Sequence, residues 1–499
     1  MFNSICGTDC AFVLFFDCPE DVLFKRLVKR GETSGRADDN AESIQKRFVT
    51  YREQSYPVIE KYDAMGKVKR VDSSNGTPEE VFEEVKALFG AVPVKKAEAA
   101  ADEGIADKLF GKLPGVDPDY DLILEESLAK NEYPLAKIEA ANAAAHTSLA
   151  AKFCTPEVWA QYKDTVSSGP AKWTIARAIN SGVMYPHSFV GCHAGDRESY
   201  DDFKDFFYPV IEAYHKGFSM EKGSDLKGTA SERMDPAKIG VDLSSSAQAK
   251  IVSTRIRIAR NLSMFPLNPG GSRESREAIA TMMQKVYDGL AGSELAGDFF
   301  LHTTMSDEQR QALIDGHQLF RGKDRMQAAS GYHEHWPHGR GVFHNPDKTF
   351  VNWVNEGDHV RIISMQNGGD VKAVFARLSA GAKAIEDGVR AATGVDGEVF
   401  MMHPKFGAVT CCPSNIGTGM RGSVHILVPK LIASIGFEAI DKLARERNCQ
   451  ARGSSGEHSA VVDRIDISNW RRIGYPEYEL VQDMINCANF LAQMEDEAA

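Results

Sequence analysis

No G-x-x-x-x-G-K-[ST] run occurs in the sequence, so no stretch of it builds the amide-and-lysine cradle by which P-loop enzymes hold nucleotide phosphates. The V-A-I-K, H-R-D and D-F-G set of the protein kinases is missing too. No apolar run approaches the roughly 18 residues of a membrane-spanning helix. Met1–Cys6 lacks the basic start and long apolar core of a secretory leader. Positive charge is in deficit: 58 Lys and Arg face 70 Asp and Glu, for a formal net charge of −12. That balance argues against nucleic acid or an anionic membrane as the main partner, and an anionic substrate must find a local basic pocket. Cysteine is scarce and odd in number, nine scattered over 499 residues, which reads as reduced thiols in a cytoplasmic protein rather than a disulfide framework. No internal repeat is visible.

What is present describes a globular chain of two to four domains, 43% hydrophobic and 26% charged. Its densest chemistry lies in Cys411-Cys412-Pro413-Ser414-Asn415-Ile416-Gly417-Thr418-Gly419-Met420-Arg421-Gly422-Ser423-Val424-His425. Gly417 to Gly422 spells G-x-G-x-x-G, but the dinucleotide fingerprint opens a helix. Here the motif runs into Ser423–Val428, which alternates like a strand, so it reads as a turn between strands.

This stretch resembles the active-site signature of the phosphagen (guanidino) kinases, and the family's other motifs follow in order. The resemblance covers about residues 110–497 and comes nearest to the arginine kinases. It implies an α+β multidomain fold: a small all-α domain at 110–240, then a catalytic domain at 241–499 with an antiparallel sheet flanked by helices. The local patterns agree. Ala140–Lys152, Thr174–Ser181 and Tyr200–His215 read as helices, and Pro156 opens another behind the N-cap Thr155. Ile251–Arg260 alternates apolar and polar as a half-buried strand. Gly341–Asn345, Thr349–Asn355 and Val360–Gln366 read as strands, and Ala278–Ala291, Val371–Glu386 and Tyr478–Met494 as helices.

Residues 91–109 are an alanine-rich, charged linker. Before it, residues 1–90 contain the apolar strand Ala11–Phe16, a second strand Val68–Val71, and Arg30-Gly31-Glu32-Thr33-Ser34-Gly35-Arg36-Ala37-Asp38-Asp39-Asn40 between helical patterns. This part resembles the lid and C-terminal half of UMP-CMP kinase, a partial α/β P-loop-kinase-like fragment in which Arg30, Arg36 and Arg47 match phosphate-touching arginines. Without a P-loop it reads as an inert, truncated segment.

Phosphoryl transfer asks for positioning and for cations around the moving group, which arginine supplies as a permanently charged fork. Arg255 and Arg257 lie two apart and so on one strand face. The resemblance implies that these two, with Arg361, Arg421 and Arg452, clamp the phosphates of ATP or ADP. It adds Ser253, Thr254, Ile256, Gly422, Ser423, Val424, Gly453, Ser454, Ser455 and Gly456, and the nucleotide-contacting His317 and His425. Mg²⁺ is expected to ride on the nucleotide without a protein cage. The cluster His333, His335, His338 and His344 lacks the completing ligands of a zinc site.

The acceptor is implied to be a small guanidino compound. Its planar cation is best held by paired carboxylates, and Glu356 and Glu457 match that role. A guanidinium holds its proton until the N–P bond forms, so one of these acids must accept it. Cys412 matches the family's reactive cysteine, expected as a thiolate steadied by Ser414, and Cys411 reads as a buried strand residue. The family's specificity loop matches Ser188, Phe189, Val190, Gly191, Cys192 and His193. Its short length implies L-arginine. His187 and His193 depart from the arginine-kinase pattern and keep taurocyamine and lombricine open. A protein arginine kinase, a group without the small helical domain that residues 110–235 supply here, an inactive scaffold and a nucleoside monophosphate kinase are the remaining alternatives. Oligomeric state is not legible in the sequence.

Overall fold

In the computed structural model, residues 12–26, 48, 51–52, 56–74, 81, 84–85, 122–224, 228–316, 318–320, 322, 324–453 and 463–498 are described. The chain divides into two compact units, Met1–Asp102 and Glu103–Ala499. In the first, β1 (Val13–Asp17) and β2 (Val68–Asp72) pair in parallel, Val13 opposite Val68, with α1 (Tyr56–Asp63) between them in sequence. The β1 run is apolar on both faces as a parallel strand requires, yet Phe16 is 50% exposed.

The second unit opens with short helices: α2 (Leu135–Ala143), α3 (Leu149–Phe153), α4 (Pro156–Tyr162), α5 (Ile175–Met184), α6 (Ser199–Asp202) and α7 (Lys204–Tyr214). Two single-helix expectations are corrected. Ala140–Lys152 breaks because Ala145 turns to φ 55° and Ser148 caps a new helix, accepting from Ala151 N. Tyr200–His215 breaks at Phe203, which adopts φ −109° and ψ 39°. Thr155 caps α4 and Thr174 caps α5 through their hydroxyls. Trp173, Tyr200, Phe203, Phe206 and Phe207 fill the core that these helices share.

From β3 (Ile251–Arg260) onward the chain builds a sheet. Helix α8 (Arg273–Asp288) precedes β4 (Asp298–Leu301), β5 (Gly341–His344), β6 (Phe350–Val354) and β7 (Val360–Asn367), and α9 (Val371–Thr393) follows. A two-stranded ladder, β8 (Met402–His403) with β9 (Gly407–Ala408), leads into β10 (Met420–Leu427). Then come β11 (Cys449–Gly453), β12 (Arg464–Asn469) and α10 (Glu477–Glu497). The eight-stranded sheet has the order β11-β12-β10-β3-β7-β6-β5-β4, antiparallel throughout.

Because side chains alternate across a strand, one face of this sheet carries Ile256, Ile258, Ile362, Val424, Ile426, Ile465 and Ile467. It shares one apolar core with α8, α9 and α10. The other face is apolar over β5, β6 and β7, where Val342, Val351 and Ile363 pack with Leu313, Phe320 and Trp336, and carries charged side chains over β3, β10, β11 and β12. No helix among the described residues is long and apolar enough to cross a membrane.

Candidate active site

Strand register assembles the cationic surface. Arg257 on β3 lies opposite Arg421 on β10, Arg255 opposite Ser423, and Ser253 opposite His425. Across β12, His425 faces Asp466, and Asp466 faces Arg452 on β11. On the far side, Arg361 of β7 stands opposite Ala259 and, on β6, opposite Trp353. The five arginines named from the sequence thus share the face opposite α8, α9 and α10. The same alternation sets apart the other residues of the nucleotide set that lie on these strands. Ile256 and Val424 point into the helix-covered core, and Thr254 is buried, donating to Gly368 O at 2.9 Å. Gly422 and Gly453 pair on that side as well, opposite Ile256 and Ile465. These residues can offer a nucleotide only their backbone.

Charge on this face is unevenly balanced. Arg421 Nη2 donates to Asp466 Oδ2 at 2.6 Å. Arg361 Nη1 lies 2.9 Å from Glu356 Oε2. Among the described residues no ion pair is found for Arg255 or Arg257, and Arg255 Nε and Arg421 Nε are buried without partners. Burial, and then the Arg361 and Arg421 guanidiniums, push Arg255 down to about 10, and Arg257 is lowered more strongly by the same causes. A guanidinium does not surrender its proton in a protein, so the uncompensated charge amounts to an affinity for an anion. Trp353 lies beneath, with Arg255 at 5.6 Å and Arg361 at 5.7 Å from its ring, and its Nε1 donates to Gln318 O at 2.6 Å. His425 Nδ1 sits 3.2 Å from Ser253 Oγ.

Beside the arginines is the carboxylate. Glu356, 8% exposed, follows Asn355, which turns at φ 55° and is held by Nδ2 bonds to Arg276 O and Gly339 O. Its Oε2 accepts from Gly357 N at 2.7 Å, and its Oε1 accepts from Gln327 Nε2 at 2.9 Å. Desolvation pushes this carboxyl up, but Arg361, Gln327 and the Gly357 N–H together hold it below the ordinary carboxylate range.

The Glu356 turn touches the cysteine loop. Cys411 Sγ donates to Gly357 O at 3.1 Å, and Cys411 N to Asp358 Oδ1 at 2.9 Å. Cys411 is buried as expected but sits in a bend rather than in a strand. Cys412 Sγ lies 3.0 Å from Ser414 Oγ. The expected thiolate is not favoured here: burial pushes the Cys412 thiol up, against the opposing Ser414 bonds and Arg472. Beyond it Gly417 and Gly419 take φ +96° and +63°, and a Cβ on Gly417 would lie 2.3 Å from Arg472 O. These glycines serve a backbone turn into β10.

The helical domain reaches the same place. Ala194 N donates to Cys411 O at 2.8 Å, Tyr200 Oη to Thr410 O at 2.8 Å, and His215 Nε2 bonds Pro413 O at 2.8 Å. Of the specificity loop, Val190 and Cys192 are core side chains and Gly191 packs on Gly182. Among the described residues Ser188 Oγ is buried without a partner, while Phe189 is 68% exposed. His193 is buried, which pushes it down to about 3, and its ring meets Tyr332 at 5.1 Å. His317, Ser454, Ser455, Gly456 and Glu457 lie outside the described residues, as do Arg30, Arg36 and Arg47. No group of three or more His, Cys, Asp or Glu side chains among the described residues is arranged to hold a metal ion.

Three residues escaped the sequence reading. Asp466 was legible only as the polar member of an alternating strand. Gln327, which holds Glu356, carried no signal. Arg472 was silent too; it donates to Ser414 O at 2.8 Å and to Asn415 Oδ1, bracing the turn after Cys412.

Comparison with known proteins accords with this geometry. Residues 144–212 match the profile of the ATP:guanido phosphotransferase N-terminal domain, and 278–498 that of its C-terminal catalytic domain. A probable arginine kinase of Caenorhabditis elegans is 39% identical over 71% of this chain and 93% of its own. An arginine kinase of Anthopleura japonica is 39% identical over 70% of this chain, which spans 47% of that longer relative. A crystal structure of a lombricine kinase superposes with a TM-score of 0.65 at 31% identity, over 74% of this chain and 96% of that one. The chain belongs to the ATP:guanido phosphotransferase family, the phosphagen kinases, and is a guanidino phosphotransferase.

Proposed function

We propose that the enzyme transfers the γ-phosphoryl group of ATP reversibly to a guanidino nitrogen of L-arginine. The observation that carries the reading is the position of Arg361. It shares a sheet face with the phosphate-seeking Arg255, Arg257 and Arg421, and it reaches Glu356 Oε2 at 2.9 Å. The anion side and the guanidinium side of the reaction therefore meet at one residue. The arginines, with Arg452, Ser253, Ser423, His425, His317 and the Ser454–Gly456 loop, would hold the nucleotide. Mg²⁺ would enter as part of the nucleotide substrate.

Glu356 and Glu457 would grip the guanidinium from two sides, and a carboxylate would take the proton as the N–P bond forms. Cys412 would orient the same cation, and becomes a thiolate only when that cation covers it. Arginine is favoured by the short loop before Gly191 and by the kinship with arginine kinases. Lombricine and taurocyamine form the second reading, favoured by His187 and the neutral, buried His193. Residues 110–240 and 241–499 would be the two working domains, after a linker at 91–109, in a cytoplasmic enzyme with reduced thiols. Residues 1–90, UMP-CMP kinase-like in sequence, would transfer nothing of their own.

A coupled phosphotransfer assay over a panel of guanidines tests the proposal. Arginine is expected to be used at least about tenfold better, in kcat/KM, than taurocyamine or lombricine, a difference of about 1.4 kcal/mol. Preference for another guanidine replaces arginine, and no turnover with any guanidine overturns the reading.

A further inference from the structure

Glu356 has a neighbour that the phosphotransfer reading leaves without a task. Gln327 Nε2 donates to Glu356 Oε1 at 2.9 Å, and behind it His333 Nε2 lies 3.2 Å from Gln327 Oε1. His333 is 2% exposed, and its Nδ1 has no partner among the described residues. The three side chains form a line that ends at the carboxylate.

Only one arrangement of protons suits that line. A proton on Nδ1 would be buried and unpaired, which is the costly state for a polar group. Placed on Nε2, it is donated to Gln327 Oε1. The Gln327 amide is then obliged to turn its NH₂ toward Glu356, since the flipped amide would set two oxygens against each other. Burial keeps the ring neutral, pushing it down to about 3.

The effect on Glu356 is directional. Arg361 Nη1 stands 2.9 Å from Oε2, and among the described residues no hydrogen bond from Arg361 to Oε1 is found. An Arg–carboxylate pair tends to close as a two-pronged fork, and that fork would occupy both oxygens. We infer that Gln327, oriented by His333, is a positioning residue that keeps Glu356 Oε1 out of a bidentate pair with Arg361 and aimed at the incoming guanidinium. This inference rests on the proposed role of Glu356.

Steady-state kinetics with arginine and ATP test it. In Gln327→Met the KM for the guanidine should rise at least about tenfold, the loss expected for one hydrogen bond to a charged group, while the KM for ATP stays within about twofold. The acid limb of kcat/KM for the guanidine should move to higher pH. Glu356 then loses a donor that favours its charged form, while Arg361 and Arg257 still face it. His333→Leu should move both quantities the same way, and His333→Gln, which keeps an amide donor in reach, should restore them. The double variant Gln327→Met/His333→Leu should be no worse than Gln327→Met, because His333 acts through Gln327. An unmoved guanidine KM and acid limb in Gln327→Met overturn the inference, and multiplying effects in the double variant overturn the part given to His333. Glu356→Gln separates the two layers: a normal guanidine KM there overturns the role of Glu356 itself, whatever Gln327 does.

Discussion

Arg257 on β3 and Arg421 on β10 stand directly opposite each other in an antiparallel ladder, two permanent cations on one face. Like charges so placed destabilise a sheet by up to about 1 kcal/mol. Among the described residues only Arg421 is found in an ion pair, with Asp466. Arg257→Met should therefore leave the nucleotide-free enzyme as stable or up to about 1 kcal/mol more stable, while weakening ATP binding at least about tenfold. Thermal melts with and without ATP check this. A destabilised free enzyme would mean that the pair is structural.

The Ser414 hydroxyl lies 3.0 Å from the Cys412 thiol. Its bond opposes burial, so Ser414→Ala should raise the thiol further and slow Cys412 alkylation near pH 8 by about fivefold, for a bond of about 1 kcal/mol. Bound nucleotide plus guanidine should slow labelling in the parent enzyme. Mass-spectrometric labelling rates decide both points.

The Glu356 carboxyl is depressed in the folded state. The unfolded chain therefore takes up its proton first as pH falls. The stability that the group contributes is complete above the ordinary Glu value of about 4.3 and is lost as pH drops through the lower folded value. The stability difference between the parent and Glu356→Gln should be largest at neutral pH and shrink below about pH 4. Urea melts across pH 3–7 measure it.

Glu457→Gln should lower turnover at least about a hundredfold with every guanidine, because it removes a charged partner of proton transfer. Near-normal turnover would leave Glu356 as the sole acid.

Residues 1–102 form their own compact unit. Deleting residues 1–100 should leave guanidino kinase turnover within about twofold, since a twofold change is only about 0.4 kcal/mol of barrier. Phosphorylation of UMP or CMP that survives Arg421→Ala would show instead that the front unit is a working nucleotide kinase.

The sheet was legible because alternation is local. Ile251–Arg260 announces its two faces residue by residue, and the arginines fall on one of them. Register is not local. That Asp466 stands beside Arg421 depends on β12 pairing with β10 across about forty intervening residues, which no window of sequence contains. Gln327 was hidden for the same reason, and His333 showed in the sequence only as one of four clustered histidines: both act through a carboxylate on another loop. Ala140–Lys152 misled in the other direction. Its alanines favour a helix, but the left-handed Ala145 and the Ser148 cap prevailed.

The loop bearing Cys412 is gripped from the helical domain by Ala194 N, Tyr200 Oη and His215 Nε2, all on carbonyls of residues 410–413. Turnover therefore doubles as a gauge of how well the helical domain is seated. On warming, catalytic failure should run ahead of the melting of the large sheet. A defect buried at Tyr200 would pass in an activity assay for an active-site lesion, although the side chain itself never meets a substrate.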